Sequence, residues 1–289
     1  MALRKFAVTR TLGSLALFTL GAAATTAQSM HVNPPRPGSP SIESETSHIG
    51  GITGHAVDGK ILYQQFCIGC HGADGNGKGP NAAPIGPKPR DLTRATFKCR
   101  STPTGDLPTD EDLFNAITRG FAGTSMKPWT SLSGQQRADL VAFIKTWSPR
   151  WATEKPGTPI VISPETPDTP ESVERGKVLF QTTLNCVKCH GTKGLGDGPS
   201  AATLQDDDGN PIKPRDFVHA SRFKCGSTNE DLYRILMTGL DGTPMPSWSD
   251  DLDANRAWDL IHYLRTLQPN YHPPHTAKGA AKPSEKSGQ

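Results

Sequence analysis

The chain has 289 residues, of which only 34% are hydrophobic, with 29 glycines and 26 prolines. Two ordinary cores of this length would want more apolar side chain, so a large apolar group is expected to complete the buried surface. Lys and Arg number 31 against 28 Asp and Glu, but Arg4, Lys5 and Arg10 all fall in the first 27 residues. The rest therefore carries 28 basic and 28 acidic residues, and a nucleic-acid partner loses its electrostatic support.

In chain order, MALRKFAVTR, the apolar TLGSLALFTLGAAA and the small-residue exit TTAQS predict a secretory signal peptide over 1–27, cleaved after Ala27. The apolar part is short for a permanent anchor, and no later segment is apolar enough to span a membrane, which predicts a soluble periplasmic protein. Residues 28–50, rich in Pro, Ser and charge, are expected to be disordered. A first domain is read over 51–150. DGKILYQQF predicts a helix that leads into CIGCHGADGNGKGP; KPRDL, TFKCRST, a helix over TDEDLFNAITRG, a GTSMKPW loop and a closing helix SGQQRADLVAFIKTW follow. Thr109 with Asp112 and Ser133 with Gln136 have the spacing of N-terminal caps, and Leu140, Ile144 and Trp147 share one face of the closing helix. A Pro-rich linker over 151–169 is expected to be extended. A second domain over 170–270 and a disordered tail over 271–289 complete the reading. No convincing alternating strand is found, so the fold class is all-α.

The second domain repeats the first. CIGCH at 67–71 returns as CVKCH at 186–190, and GTSMKPW returns as GTPMPSW, both at an offset of 119. KPRDL and KPRDF match at 125, and TFKCRST and RFKCGST at 126, because the second copy has gained QDDDGNP and lost TGDLPTD. Matched elements in one order mean a tandem duplication.

CIGCHGADGNGKGP on its own has several readings. A structural zinc site needs four ligands close together, whereas the two Cys pairs stand 119 residues apart in separate copies. A thiol redox motif would sit in a βαβ unit, and the glycine run lacks the spacing of a phosphate loop. A calcium loop from Asp74 is spoiled by Lys78 and by Ile85, where a carboxylate is required. What survives is covalent c-type haem attachment. Two residues between the cysteines bring both sulfurs to the vinyl groups of one porphyrin, and the adjacent His turns onto the iron. The expected cofactors are two covalent haems, one on Cys67, Cys70 and His71 and one on Cys186, Cys189 and His190. Met126 and Met245 each follow the haem histidine by 55 residues, in a GT-x-M loop between helices, and are the candidate sixth ligands. Met237 has no partner in the first copy and reads as core; His219 and His262, also unrepeated, are weaker rivals for the distal position.

Taken together, CxxCHGxxGxGxGP, PRDL/F, FK-x-x-ST, the GT-x-M loop and the closing helix resemble the class I cytochrome c domain of tandem dihaem cytochromes c. The resemblance implies a helical fold with haem between the first and last helices, His/Met iron and one-electron transfer between redox partner proteins, with docking to a membrane complex among the options. It also implies glycines that let backbone pass close to the porphyrin, Trp129 and Trp248 packed on the haems, and Arg90 and Arg215 paired with haem propionates; simple core filling is the competing reading for the tryptophans, and salt bridges to Asp91 and Asp216 for the arginines. Cys99 and Cys225 occupy the same FKC position in both copies, and three readings stay open: an inter-domain disulfide, free thiols, or thiolate ligation of iron. The last belongs to the alternative function, a peroxidase-like or thiosulfate-oxidising dihaem oxidoreductase with one open or Cys-bound iron.

Overall fold

The structure is a computed structural model that describes residues 31–219 and 222–271. The expected signal peptide and all but the first residue of the expected tail lie outside the described residues.

Each half is built on two crossing helices. In the first, α1 (Ala56–Phe66) crosses the closing helix α4 (Gly134–Lys145); the haem-motif turn α2 (Ile68–His71) and the middle helix α3 (Asp110–Arg119) lie between them in sequence. A short helix, α5 (Arg150–Thr153), then begins the segment read as a linker, and residues 154–169 run on without helix. In the second half, α6 (Pro170–Val178) crosses α9 (Ala254–Thr266), with α7 (Val187–His190) and α8 (Asn229–Thr238) as the counterparts of α2 and α3.

The crossings are close because glycine sits at both. A Cβ on Gly59 would lie 2.0 Å from the Asp139 carbonyl oxygen, and one on Gly176 would lie 1.9 Å from that of Asp259. Capping boxes start α3 at Thr109 and Asp112, α4 at Ser133 and Gln136, and α8 at Thr228 and Asp231, so backbone donors that the first turn leaves unpaired are satisfied as the sequence spacing predicts. The buried aromatic pairs Tyr63 with Phe143 and Phe180 with Tyr263 fill equivalent places, at ring-centroid distances of 5.1 and 5.4 Å.

Two expectations are corrected. The segment 28–50 is ordered from residue 31 onward, with Val32 in the first core, and the chain does contain a sheet: β1 (Thr46–Ile49) pairs antiparallel with β2 (Ile52–His55), Ile49 opposite Ile52. Gly50 and Gly51, at φ 50° and 84°, make the two-residue turn that joins these strands. The hairpin lies on α4. The Ser47 hydroxyl donates to the Ala138 carbonyl at 2.7 Å, and the His55 N–H donates to the Asp139 carboxylate at 2.9 Å. Composition hides this order because the Pro-rich approach is held by side-chain hydrogen bonds and by neighbouring helix surface, not by a helical or strand period of its own.

The halves are joined by a disulfide between Cys99 and Cys225, with Cα atoms 5.2 Å apart. Beside it, the fully buried Arg100 side chain reaches across to the Thr238 carbonyl and the Asp241 carboxylate, both at 2.8 Å. Asp241 also accepts from Thr104 Oγ1 and the Gly105 N–H, both part of the stretch that the second copy lacks. The acidic loop that the second copy gained supplies Asp208, which pairs with Arg94 of the first. Both length differences between the copies thus meet at the interface. Among the described residues, no helix is long and apolar enough to cross a membrane.

Candidate haem sites

One helical turn arranges each attachment motif. The N–H groups of Cys70 and His71 donate to the Cys67 carbonyl at 3.1 and 2.9 Å, and those of Cys189 and His190 to the Cys186 carbonyl at 3.2 and 2.8 Å. Residues three and four apart share a helix face, so both sulfurs and the imidazole look the same way. Gly72 and Gly191, at φ 83° and 76°, end the turns. The glycine loop then folds back: the Gly77 N–H donates to the His71 carbonyl at 2.9 Å and the Gly196 N–H to the His190 carbonyl at 2.8 Å. A Cβ on Gly79 would lie 2.4 Å from the Gly69 oxygen, and one on Gly77 would lie 2.6 Å from the Pro89 oxygen. The close approach these glycines permit within the protein is to the motif's own backbone and to the PRD segment.

That approach orients the histidines. His71 Nδ1 lies 3.1 Å from the Arg90 carbonyl and His190 Nδ1 lies 3.1 Å from the Arg215 carbonyl. A carbonyl only accepts, so Nδ1 carries the proton and the Nε2 lone pair is free for a metal. Burial holds both imidazoles below their ordinary value, although the backbone bonds favour the protonated form, so each is a neutral donor. Burial first, with Cys70 adding, pushes the Cys67 thiol up to about 12; burial does the same at Cys186, with a backbone bond opposing it and Cys189 assisting. This is the reverse of a disulfide-exchange nucleophile, whose thiol is lowered. Among the described residues, no group of three or more His, Cys, Asp or Glu side chains converges as another metal site.

In the first half, Cys67, Cys70 and His71 line a cavity of about 350 Å³ together with Met126, Trp129, Leu140 and Ile144. The GT-x-M loops share one geometry. The Met126 N–H donates to Thr124 Oγ1 at 3.1 Å and the Phe121 N–H to the Met126 carbonyl at 2.9 Å; the same bonds at Met245 are 3.2 and 3.1 Å. Met245 and Trp248 pack on the second core, as does Met237. His219 is exposed beside Asp216, and the buried His262 is held by Ser172 at 2.6 Å, so both rivals are engaged with protein partners.

Asp91 and Asp216 do not pair with the adjacent arginines: Asp91 accepts from Thr93, and Asp216 from Val218 and His219. Arg90 lines the first cavity and lies against Gly242 of the second half, where a Cβ would come 3.0 Å from Nη1. Arg215 points the other way, towards Gly123, and its buried Nε has no acceptor. The indole N–H of Trp248 is likewise buried and unpartnered. The apolar cavity over the neutral His71 and paired thiols of the first half, and the orphaned donors of Arg215 and Trp248 in the second, fit a haem in each half, whose propionates accept hydrogen bonds. The disulfide removes Cys99 and Cys225 from the list of iron ligands. Sequence reasoning gave no role to Lys98 and Lys224, although both line this cavity; their recurrence before each FKC cysteine was the available signal.

Comparison with known proteins agrees with the duplication. The cytochrome c family matches residues 56–148, and the family described as cytochrome c oxidase, cbb3-type, subunit III, matches residues 171–264. A solved chain of a reducing HAO-like protein complex from Kuenenia stuttgartiensis is 40% identical, with a TM-score of 0.71 over 73% of this chain and 96% of its own. The chain belongs to the tandem dihaem cytochromes c. No curated protein sequence matches this dihaem cytochrome. It is a redox haem protein with two covalently bound c-type haems.

Proposed function

We propose that this dihaem cytochrome is an exported, periplasmic one-electron carrier working between a dehydrogenase or membrane complex and an oxidase or reductase. Cys67 and Cys70 would hold haem 1 by thioether bonds, with His71 and Met126 as its iron ligands; Cys186, Cys189, His190 and Met245 would do the same for haem 2. Each haem, when bound, supplies a one-electron Fe(III)/Fe(II) couple. The protein's part is to fix the ligands, keep water from the iron and set the charge around it. The Nδ1 bonds to the Arg90 and Arg215 carbonyls orient the histidines. The threonine-braced loops present a soft thioether that favours ferrous iron. Trp129 and Trp248 would cover the methionine side, and Arg90 and Arg215 would bind propionates.

The observation that carries this reading is the matched bracing of both methionine loops, which favours two equivalent coordinatively filled irons over one open iron. The alternative, a peroxidase-like or thiosulfate-oxidising enzyme, loses its thiolate ligand because Cys99 and Cys225 are bonded to each other. The likeness to a chain of an HAO-like complex supports a place beside a larger redox protein. Met245→Ala tests the assignment. It should lower the potential of haem 2 and let that haem bind carbon monoxide while haem 1 keeps its spectrum; a variant in which neither property moves refutes Met245 as ligand.

A further inference from the structure

We propose that Lys98 and Lys224, with Arg90 and Arg215, form one cationic seat at the interface, shared by the carboxylates of both haems, so that each haem's potential is set by charges from both halves. The inference rests on the two-haem reading and extends it to residues with no role so far.

The four cations come in two repeat-related pairs, Arg90 with Arg215 and Lys98 with Lys224, and the disulfide between Cys99 and Cys225 ties the lysines together through their neighbours in sequence. The first cavity is lined by Arg90, Lys98 and Cys99 of its own half and by Lys224 of the other. Arg90 and Arg215 each reach to the methionine loop opposite, at Gly242 and Gly123. The seat therefore spans both halves.

Its charge is offset by protein only in part. Among the described residues no carboxylate makes an ion pair with either lysine; Asp206, Asp207 and Asp208 of the second half's gained loop act on Arg90, and Asp206 and Asp208 on Lys98, but none acts on Lys224. Burial, then Arg90 and Lys224, push Lys98 down to about 8; burial, then Arg215 and Arg90, lower Lys224. Half-buried like charges held together call for anions, and the propionate pair of each haem supplies that chemistry beside a buried Arg215 Nε that lacks an acceptor.

The test uses the full haem-loaded protein in spectroelectrochemical titration, with Lys98→Met and Lys224→Met made singly. A positive charge near iron favours the less positive ferrous state, so its removal lowers the potential. Each single variant should lower both midpoint potentials, by about tenfold in the Fe(III)/Fe(II) ratio at fixed potential for the nearer haem, and Lys→Arg at the same position should restore them. Movement of only one of the two waves, of neither, or no rescue by Arg overturns the shared seat. If a variant does not take up haem, a crystal structure of the wild-type haem-loaded protein decides: either lysine Nζ beyond about 4 Å of every haem carboxylate overturns the proposal. Haem content and the methionine-to-iron band, read on the same samples, report failure of the ligand assignment separately.

Discussion

The two halves share their haem machinery and differ in what surrounds it. His71 and His190 make the same bond to the PRD carbonyl, and both methionine loops are braced by threonine. Around this, Asp139 in α4 accepts from the hairpin at His55 and from Gln135, whereas Asp259 in α9 accepts from Ser172 and from both Arg175 nitrogens that face it. His190 stacks on Phe217 at 4.6 Å, where the first half has Leu92. Arg100, buried in the clasp, has Gly226 as its counterpart, so the interface is asymmetric although the hydrogen bonds that brace the two sites match. Ligand geometry must be met identically in both copies, while the outer helix surfaces and the interface need only be covered.

Removing attachment should have the largest effect. Cys67→Ala with Cys70→Ala, and separately Cys186→Ala with Cys189→Ala, should each lower the covalent haem content from two to one by mass spectrometry. Loss of both haems from either double variant would mean that the halves are not independent sites. Next, Cys99→Ser with Cys225→Ser opens a loop closed over a sequence separation of 126 residues. It should cost about 4 kcal/mol in chemical denaturation while both haems stay attached. Asp241→Ala should cost about 3 kcal/mol, because it leaves the Arg100 guanidinium buried with carbonyl acceptors alone.

The smallest expected effect compares the outer networks. Asp259→Asn should cost about 2 kcal/mol and Asp139→Asn about 1, measured by unit-resolved hydrogen exchange, because only Asp259 has a charged partner and that partner is exposed. Burial by itself would raise the Asp259 carboxyl; Arg175 and Ser172 outweigh it and hold the group below its ordinary value. A depressed carboxyl stabilises the fold above its unfolded pKa and loses that contribution as pH falls through the folded one. The difference between Asp259→Asn and wild type should thus be full at neutral pH and shrink progressively as pH falls below about 4, through the lowered folded value. A difference unchanged at pH 3 would contradict the pairing.

Much of the haem machinery was legible because its signals are linear. CxxCH fixes sulfur and imidazole within one helical turn, the offset of 119 pairs the copies, and the capping boxes at Thr109, Ser133 and Thr228 depend on neighbours three residues away. The hairpin was missed because four-residue strands give little alternation, although the Gly-Gly of HIGGIT is a turn signal in its own right. Arg100, Lys98 and Lys224 could not be read, since their burial depends on how the halves pack. The reach of Arg90 to the opposite methionine loop has the same cause: repeat matching says which residues are equivalent, not that equivalents cross.

The central claim is that both irons are low-spin with His and Met ligands and pass single electrons. Near-infrared and electron paramagnetic resonance spectra of the ferric haem-loaded protein, followed through a redox titration, test it most directly. The expected result is a methionine-to-iron charge-transfer band accounting for both haems, two low-spin signals, and two one-electron waves without carbon monoxide binding in the ferrous protein. A high-spin ferric signal, or carbon monoxide bound to one haem of the unmodified protein, would contradict the account and favour an enzyme with an open iron.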